Sequence, residues 1–233
     1  MNIERMPQAL KEADNVQVFD DFLWMISPHL WTTVLTDSGS ATAAGVGGVL
    51  PLVPSDGSVA DDDEAYIGTT LSLFKPAINK PLYCEALVQF TEANTNAANV
   101  AFGLASSVGA NLIVDDGGGM RASGTVVALY KVDGETVWRF VTRNGSAVTV
   151  TQSTTSAGGA AYQRLGIEIV DAGPNMAPYC VPTVDGNHLR DAATNQVIRH
   201  ALDLTTIAAA SLFAGVKNGS ANLETLNVDY LAA

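Results

Sequence analysis

The sequence predicts an all-β chain: an antiparallel jelly-roll β-sandwich preceded by a short N-terminal arm. Three observations predict it. From Tyr66 onward apolar and polar residues alternate with period two, the signature of half-buried strands. Asp-Gly and Asn-Gly pairs recur between the alternating runs, and they tolerate the positive φ that tight hairpin turns need. No strand–helix–strand spacing occurs anywhere, so a parallel sheet is not expected.

Taken in order, residues 1–18 form the arm and 19–233 a single sandwich domain. In the arm Ile3, Met6, Ala9, Leu10 and Ala13 fall at helical spacing, but Pro7 interrupts them, so any helix there is short. The arm either docks on a neighbour or straps the domain's own surface. Asp37 to Ser58 is a Gly-, Ala-, Ser- and Pro-rich loop holding one short strand at Val49–Val53. In Leu82–Thr91, Leu82, Cys84, Ala86, Val88 and Phe90 share one face, and Tyr83, Glu85, Leu87, Gln89 and Thr91 the other. A second loop, Asn111–Ser123, contains Gly117-Gly118-Gly119. Asp133-Gly134 joins Val126–Val132 to Val137–Thr142, and Asn144-Gly145 leads into Ala147–Thr151. Gln163–Val170 alternates Leu165, Ile167 and Ile169 against Arg164, Gly166 and Glu168. Asp185-Gly186 follows Val181–Val184, and Asn218-Gly219 joins Leu212–Lys217 to Leu223–Leu231. Thr205–Ala210 is the only helical candidate in the body, a short crossover.

Composition narrows the function. A 47% hydrophobic and 15% charged make-up suits a packed globular domain. Twelve basic residues stand against 24 acidic ones, and the net charge of −12 repels a phosphate backbone, so no nucleic-acid partner is expected. Met1–Ala13 carries charges and no apolar core, unlike a signal peptide, and no apolar run nears the roughly 18 residues of a membrane span. The expectation is a soluble protein with no membrane partner. Cys84 and Cys180 sit in apolar strand-like stretches and read as buried free thiols in preference to a bridge.

No constellation of catalytic residues emerges. Asp61-Asp62-Asp63-Glu64 lacks the alternating spacing of a calcium loop and reads as solvated, so no metal site is expected. Gly45–Gly48 and Gly117–Gly119 lack the helix start of a phosphate cradle, so no cofactor is expected. No serine lies in Gly-x-Ser-x-Gly, and His29, His188 and His200 are scattered without ligand pairing. Glu168 and Asp171 would face opposite sides of a strand, the wrong parity for a glycosidase pair. Trp24, Trp31 and Trp138 read as core or interface anchors, with Trp138 and Phe140 sharing a face.

The order of landmarks carries a resemblance. Asp20-Asp21-Phe22 is followed by Trp31, a Gly-rich stretch, Tyr66-Ile67-Gly68-Thr69 and a strand ending Phe90-Thr91-Glu92. Then come Val100-Ala101-Phe102-Gly103-Leu104-Ala105, the Val184-Asp185-Gly186 turn and a closing Val228-Asp229-Tyr230-Leu231. Over residues 19–233 this resembles the concanavalin-like (laminin-G-like) jelly rolls of tailed-bacteriophage structural proteins, most of all capsid decoration or cement proteins. The resemblance implies a non-enzymatic protein on the capsid surface of a virion, made in the host cytoplasm. Its partners would be the major capsid protein and copies of itself in a homo-oligomer; symmetry, not the resemblance, makes a trimer possible on a lattice with threefold positions. The alternative is a carbohydrate-binding or receptor-binding module of a phage tail or fibre; a glycan-cleaving enzyme is a third reading.

Overall fold

The computed structural model describes residues 16–23, 28–42, 47–77, 80–92, 97–159, 161–170, 177–204 and 206–233. Every regular element among them is a strand: β1 (Phe19–Asp20), β2 (Trp31–Leu35), β3 (Ser38–Ala41), β4 (Leu50–Ser55), β5 (Glu64–Thr69) and β6 (Leu82–Thr91), then β7 (Ala98–Ala105), β8 (Ile113–Val114), β9 (Gly119–Met120), β10 (Thr125–Lys131), β11 (Val137–Asn144) and β12 (Ala147–Ser156), and last β13 (Gln163–Val170), β14 (Tyr179–Val184), β15 (Asn187–His188), β16 (His200–Ala201), β17 (Ser211–Asn218) and β18 (Thr225–Ala232).

They build two antiparallel sheets. A nine-stranded sheet runs β15-β14-β13-β6-β18-β4-β3, with β1 on β18 and β16 on β14. A seven-stranded sheet runs β12-β11-β10-β7-β17-β5-β2, and β8 and β9 pair separately as a small hairpin. The sheets face each other across a core that includes Trp31, Phe90, Trp138, Phe140, Leu212 and Leu226. Trp138 meets Phe90 edge-on at 6.0 Å between ring centroids, a geometry aromatic pairs favour.

The expected alternation of β6 holds: Cys84, Ala86, Val88 and Phe90 are buried, while Tyr83 is exposed and Leu87 and Gln89 are half-buried. The seven-stranded sheet departs from it. Strands β5, β7, β10 and β17 are buried at every position. Residues on their outer side join a second apolar cluster with Leu112, Ile113 and Met120. The loop expected at Asn111–Ser123 therefore contains the β8–β9 hairpin and serves as a cover on the sheet.

Asp185-Gly186 turns as expected, with φ of 52° and 77°, between β14 and β15. Asn218-Gly219 does not make a hairpin. Strand β17 lies in one sheet and β18 in the other, so the link crosses the sandwich. A Cβ on Gly219 would meet the Ala97 carbonyl oxygen at 2.2 Å, so close backbone approach, not turn geometry, requires the glycine. The helix expected at Thr205–Ala210 is absent over 206–210, Thr205 lying outside the described residues. Backbone groups there bond outward: Ala210 and Phe74 exchange two hydrogen bonds, and the Ala208 amide donates to Thr125 Oγ1. The loop at Asp37–Ser58 holds β3 as well as β4, which runs through Ser55.

Residues 1–15 of the expected arm lie outside the described residues. Val18 exchanges two backbone hydrogen bonds with Ala233, so the first described residues pair with the last strand's end. Asp20 fixes this corner by accepting from Trp31 Nε1 at 2.7 Å and from the Phe22 amide at 2.8 Å.

Candidate functional site

The outer side of the seven-stranded sheet holds a network of buried polar groups. Glu64 opens β5 and is only 1% exposed. One carboxylate oxygen accepts from the Tyr66 phenol at 2.7 Å, and the other from the Asn111 amide at 2.7 Å. The Tyr66 oxygen accepts in turn from the Ile113 amide at 3.2 Å. Lys217, fully buried on β17, donates to Asn111 Oδ1 at 3.1 Å. Burial pushes the Glu64 carboxyl above its usual range, opposed by the Tyr66 and Asn111 hydrogen bonds and the Lys217 charge. These groups bolt the cover to the sheet by two of its backbone amides, and glycines let it come close. A Cβ on Gly215 would lie 1.8 Å from Tyr66 Cδ1, and one on Gly68 2.8 Å from Val108 Cγ2. Both oxygens of Glu64 are committed and solvent is excluded, so this carboxylate is built as an anchor.

At the β8–β9 turn of the cover, Asp115 and Asp116 meet Asp61, the three bringing carboxylate oxygens within 4.8 Å of one another. Asp61 and Asp116 are exposed, and the buried Oδ1 of Asp115 has no hydrogen-bond partner. Burial first, then the Asp61 and Asp116 charges, raise the Asp115 carboxyl. One oxygen from each converges here, three of the roughly six to eight that calcium takes. The acidic run itself splits. Asp61 and Asp62 are exposed as expected, whereas Asp63 and Glu64 are buried, Asp63 Oδ2 accepting from the Ala60 amide at 2.8 Å.

A hollow of about 260 Å³ opens at the β2 edge of the same sheet, lined by hydroxyls of Thr32, Thr69, Thr70, Ser106, Ser107 and Ser211. It has polar walls but neither an aromatic ring nor a charged group.

The remaining candidates stay apart. His200 is buried between Thr142 Oγ1 at 3.1 Å and Thr151 Oγ1 at 2.9 Å, its ring 4.8 Å from that of Phe140, and burial lowers its pKa to about 4. His188 is exposed, 4.0 Å from Glu168, and His29 is exposed elsewhere. Glu168 is half-buried on β13; Asp171, Trp24, Gly45 and Val46 lie outside the described residues. Trp31 and Trp138 are in the core, and Gly117–Gly119 turn the β8–β9 hairpin. Cys84 and Cys180 are buried free thiols on strands separated by β13, and burial pushes Cys180 up to about 12. The Glu64–Tyr66–Lys217 network was not anticipated. Its signal is a Glu-x-Tyr at period two inside β5, hidden at the end of an acidic run.

No known protein family matches the chain by sequence, and no curated protein matches it. Solved structures do resemble it. The metal-free carbohydrate recognition domain of Emp46p superposes with a TM-score of 0.59 at 9% identity, covering 91% of this chain and 93% of that one. An endo-1,3-β-glucanase from Streptomyces sioyaensis gives 0.59 at 16%, covering 93% and 95%. A Lotus tetragonolobus seed lectin gives 0.58 at 11%, covering 93% and 96%. The fold is thus the concanavalin-like β-sandwich of the legume-lectin type. At such identities the likeness reaches the fold and stops there.

Proposed function

We propose that this chain is a non-enzymatic recognition module whose ligand is a glycan. The covered middle of the seven-stranded sheet's outer side, over β5, β7, β10 and β17, carries the first half of the reading. A glycan-cleaving enzyme needs two carboxylates facing each other across an open cleft. Here that side is filled by the chain's own residues 106–124, and its buried carboxylate is bonded to the filling. Support for the second half comes from neighbours of the same fold, which are carbohydrate recognition domains and lectins as well as a glucanase. Screening the purified protein on an array of neutral and acidic oligosaccharides tests it. Retention of a defined glycan without cleavage is the expected outcome, and neither retention nor cleavage across the array overturns it.

A second reading is a capsid decoration protein on the virion surface, contacting the major capsid protein and copies of itself. The landmark order from Asp20-Asp21-Phe22 to Val228-Asp229-Tyr230-Leu231 favours it, and a sandwich closed on one side suits a lattice role. Adding the protein to undecorated capsids decides it: binding with raised heat resistance is expected, and no association removes the reading.

A further inference from the structure

On the outer side of the nine-stranded sheet, where Phe19, Tyr83 and Arg164 are exposed among the described residues, the chain carries a built cluster. Register places Thr183, Gly166, Glu85, Ala232 and Phe19 in one lateral row across β14, β13, β6, β18 and β1. The flanking Gly166 and Ala232 are small. Into that space Tyr83 and Tyr230 lean from either side, and each donates its phenol proton to a different oxygen of Glu85. A Cβ on Gly166 would come within 3.0 Å of the Tyr83 oxygen and 3.5 Å of Tyr83 Cε2, so the Tyr83 ring lies low across the glycine. Tyr230 continues into Phe19, with ring centroids 5.8 Å apart and planes at 30°. Arg164 Nε stands 3.8 Å from Glu85, its side chain 48% exposed.

We propose that this row is a platform for a neutral pyranose sugar. The proposal rests on the glycan reading above and names its surface. The rings of Phe19, Tyr230 and Tyr83 form an apolar tiling against which the C–H face of a pyranose can stack, as amphipathic aromatics do at binding surfaces. Phe19 and Tyr83 stay 44% and 46% exposed although both are large and partly apolar. Each Glu85 oxygen has a lone-pair site beyond the one phenol it accepts, and the half-exposed Arg164 guanidinium brings donors, which match the mixed hydroxyls of a neutral sugar. Charge selects against acidic sugars: Glu85, Glu168 and Asp229 lie on or beside the row, and the chain carries −12 overall. Ring geometry and the carboxylate are locked to each other before any ligand arrives, which lowers the ordering cost of binding.

The test is a screen of the full chain on neutral hexose and N-acetylhexosamine oligosaccharides beside sialylated and uronate-containing ones, then titration calorimetry of the best-bound oligosaccharide. Tyr83→Ala and Tyr230→Ala should each weaken binding by about tenfold or more, the size of an interface hot spot. Tyr230→Phe and Glu85→Gln, which keep the rings, serve if the alanine variants unfold, and each should weaken it several-fold. Ser107→Trp, which fills the hydroxyl-lined hollow, should leave affinity unchanged. A glycan bound by the native protein but lost with Ser107→Trp and kept by the tyrosine and glutamate variants overturns the platform and leaves the glycan reading standing. Preference for the acidic sugars overturns it too. If no sugar binds, both ideas fall, and self-association lost with Tyr83→Ala would reassign the row to a second copy of the chain.

Discussion

The two sheets of this sandwich are built by the same rules and end with opposite outer sides. Strand β6 of the nine-stranded sheet reads Leu-Tyr-Cys-Glu-Ala-Leu-Val-Gln-Phe, alternating, with Tyr83 exposed and Glu85, Leu87 and Gln89 half-buried on its outer side. Strand β7 of the seven-stranded sheet reads Ala-Asn-Val-Ala-Phe-Gly-Leu-Ala and is buried throughout. A near-continuous apolar or small run is what a strand covered on both sides requires. Each outer side also holds one glutamate flanked by tyrosine. Glu64 is 1% exposed and ties down a cover; Glu85 lies under two phenols with its side chain 19% exposed. The same pair of side chains thus serves as a bolt on one side and as part of a surface on the other.

That contrast breaks most sharply at the two glutamates. Glu64→Ala leaves the buried Tyr66 phenol and the Asn111 amide without their shared acceptor and takes away a negative charge that offsets Lys217, a loss of about 2–6 kcal/mol for two donors left unsatisfied. Glu85→Ala should cost about 1 kcal/mol, since water replaces the lost acceptor. Urea denaturation measures both, and hydrogen exchange should show residues 106–124 opening in the first variant only. Equal losses would mean that the two sides do not differ in kind.

A pH titration probes where the sheets meet. His200, on β16 of the nine-stranded sheet, is wedged against Thr142 and Thr151 of the other. Its pKa falls to about 4 from an ordinary 6.5 because burial disfavours the imidazolium. The unfolded chain therefore takes up the proton first on acidification. Stability from this group is fully present above pH 6.5 and is lost as the pH falls from there to 4, by about 3 kcal/mol in all. Denaturation midpoints across pH 4–7.5 read this slope, and His200→Gln should flatten it; an unchanged slope would place the proton uptake elsewhere.

The cover can also be lifted sterically. At Gly215, where Tyr66 Cδ1 would stand 1.8 Å from an added Cβ, Gly215→Ala should cost about 1–3 kcal/mol by overpacking. Thermal unfolding reads that loss. A neutral result would show that the Tyr66 ring shifts freely, so that Glu64 does not hold it.

Much of this was legible in the chain. The period-two runs of β6 and β13 and the Asp185-Gly186 turn declared an antiparallel sandwich. The cover did not declare itself, because Asn111–Ser123 is rich in glycine and short polar residues and buries only Leu112, Ile113 and Met120. Those three gain meaning only opposite Ala101, Val126 and Phe213, a contact between distant segments that no local period encodes. Asn218-Gly219 misled for a related reason. Asn-Gly marks a turn when the glycine needs positive φ, whereas Gly219 is there for the carbonyl of Ala97. The Tyr83–Glu85–Tyr230 row is split between β6 and β18, 145 residues apart in the Glu85–Tyr230 bond, so only the register assembles it.

The smallest expected effect is the one that sharpens the contrast most. Tyr83→Ala removes a large side chain that is 46% exposed and rests on Gly166, so the fold should lose no more than about 0.5–1 kcal/mol. Phe213→Ala, on the covered side and fully buried, should lose about 3–5 kcal/mol for an aromatic ring of similar size. A loss that small would show that the orientation Tyr83 takes from a carboxylate and a glycine does not serve stability. If Tyr83→Ala instead unfolds the chain as readily as Phe213→Ala, the outer row is a third core layer and its tyrosines are packing. If the loss stays small, the row has no packing duty, which leaves its rings available for the stacking contact we propose.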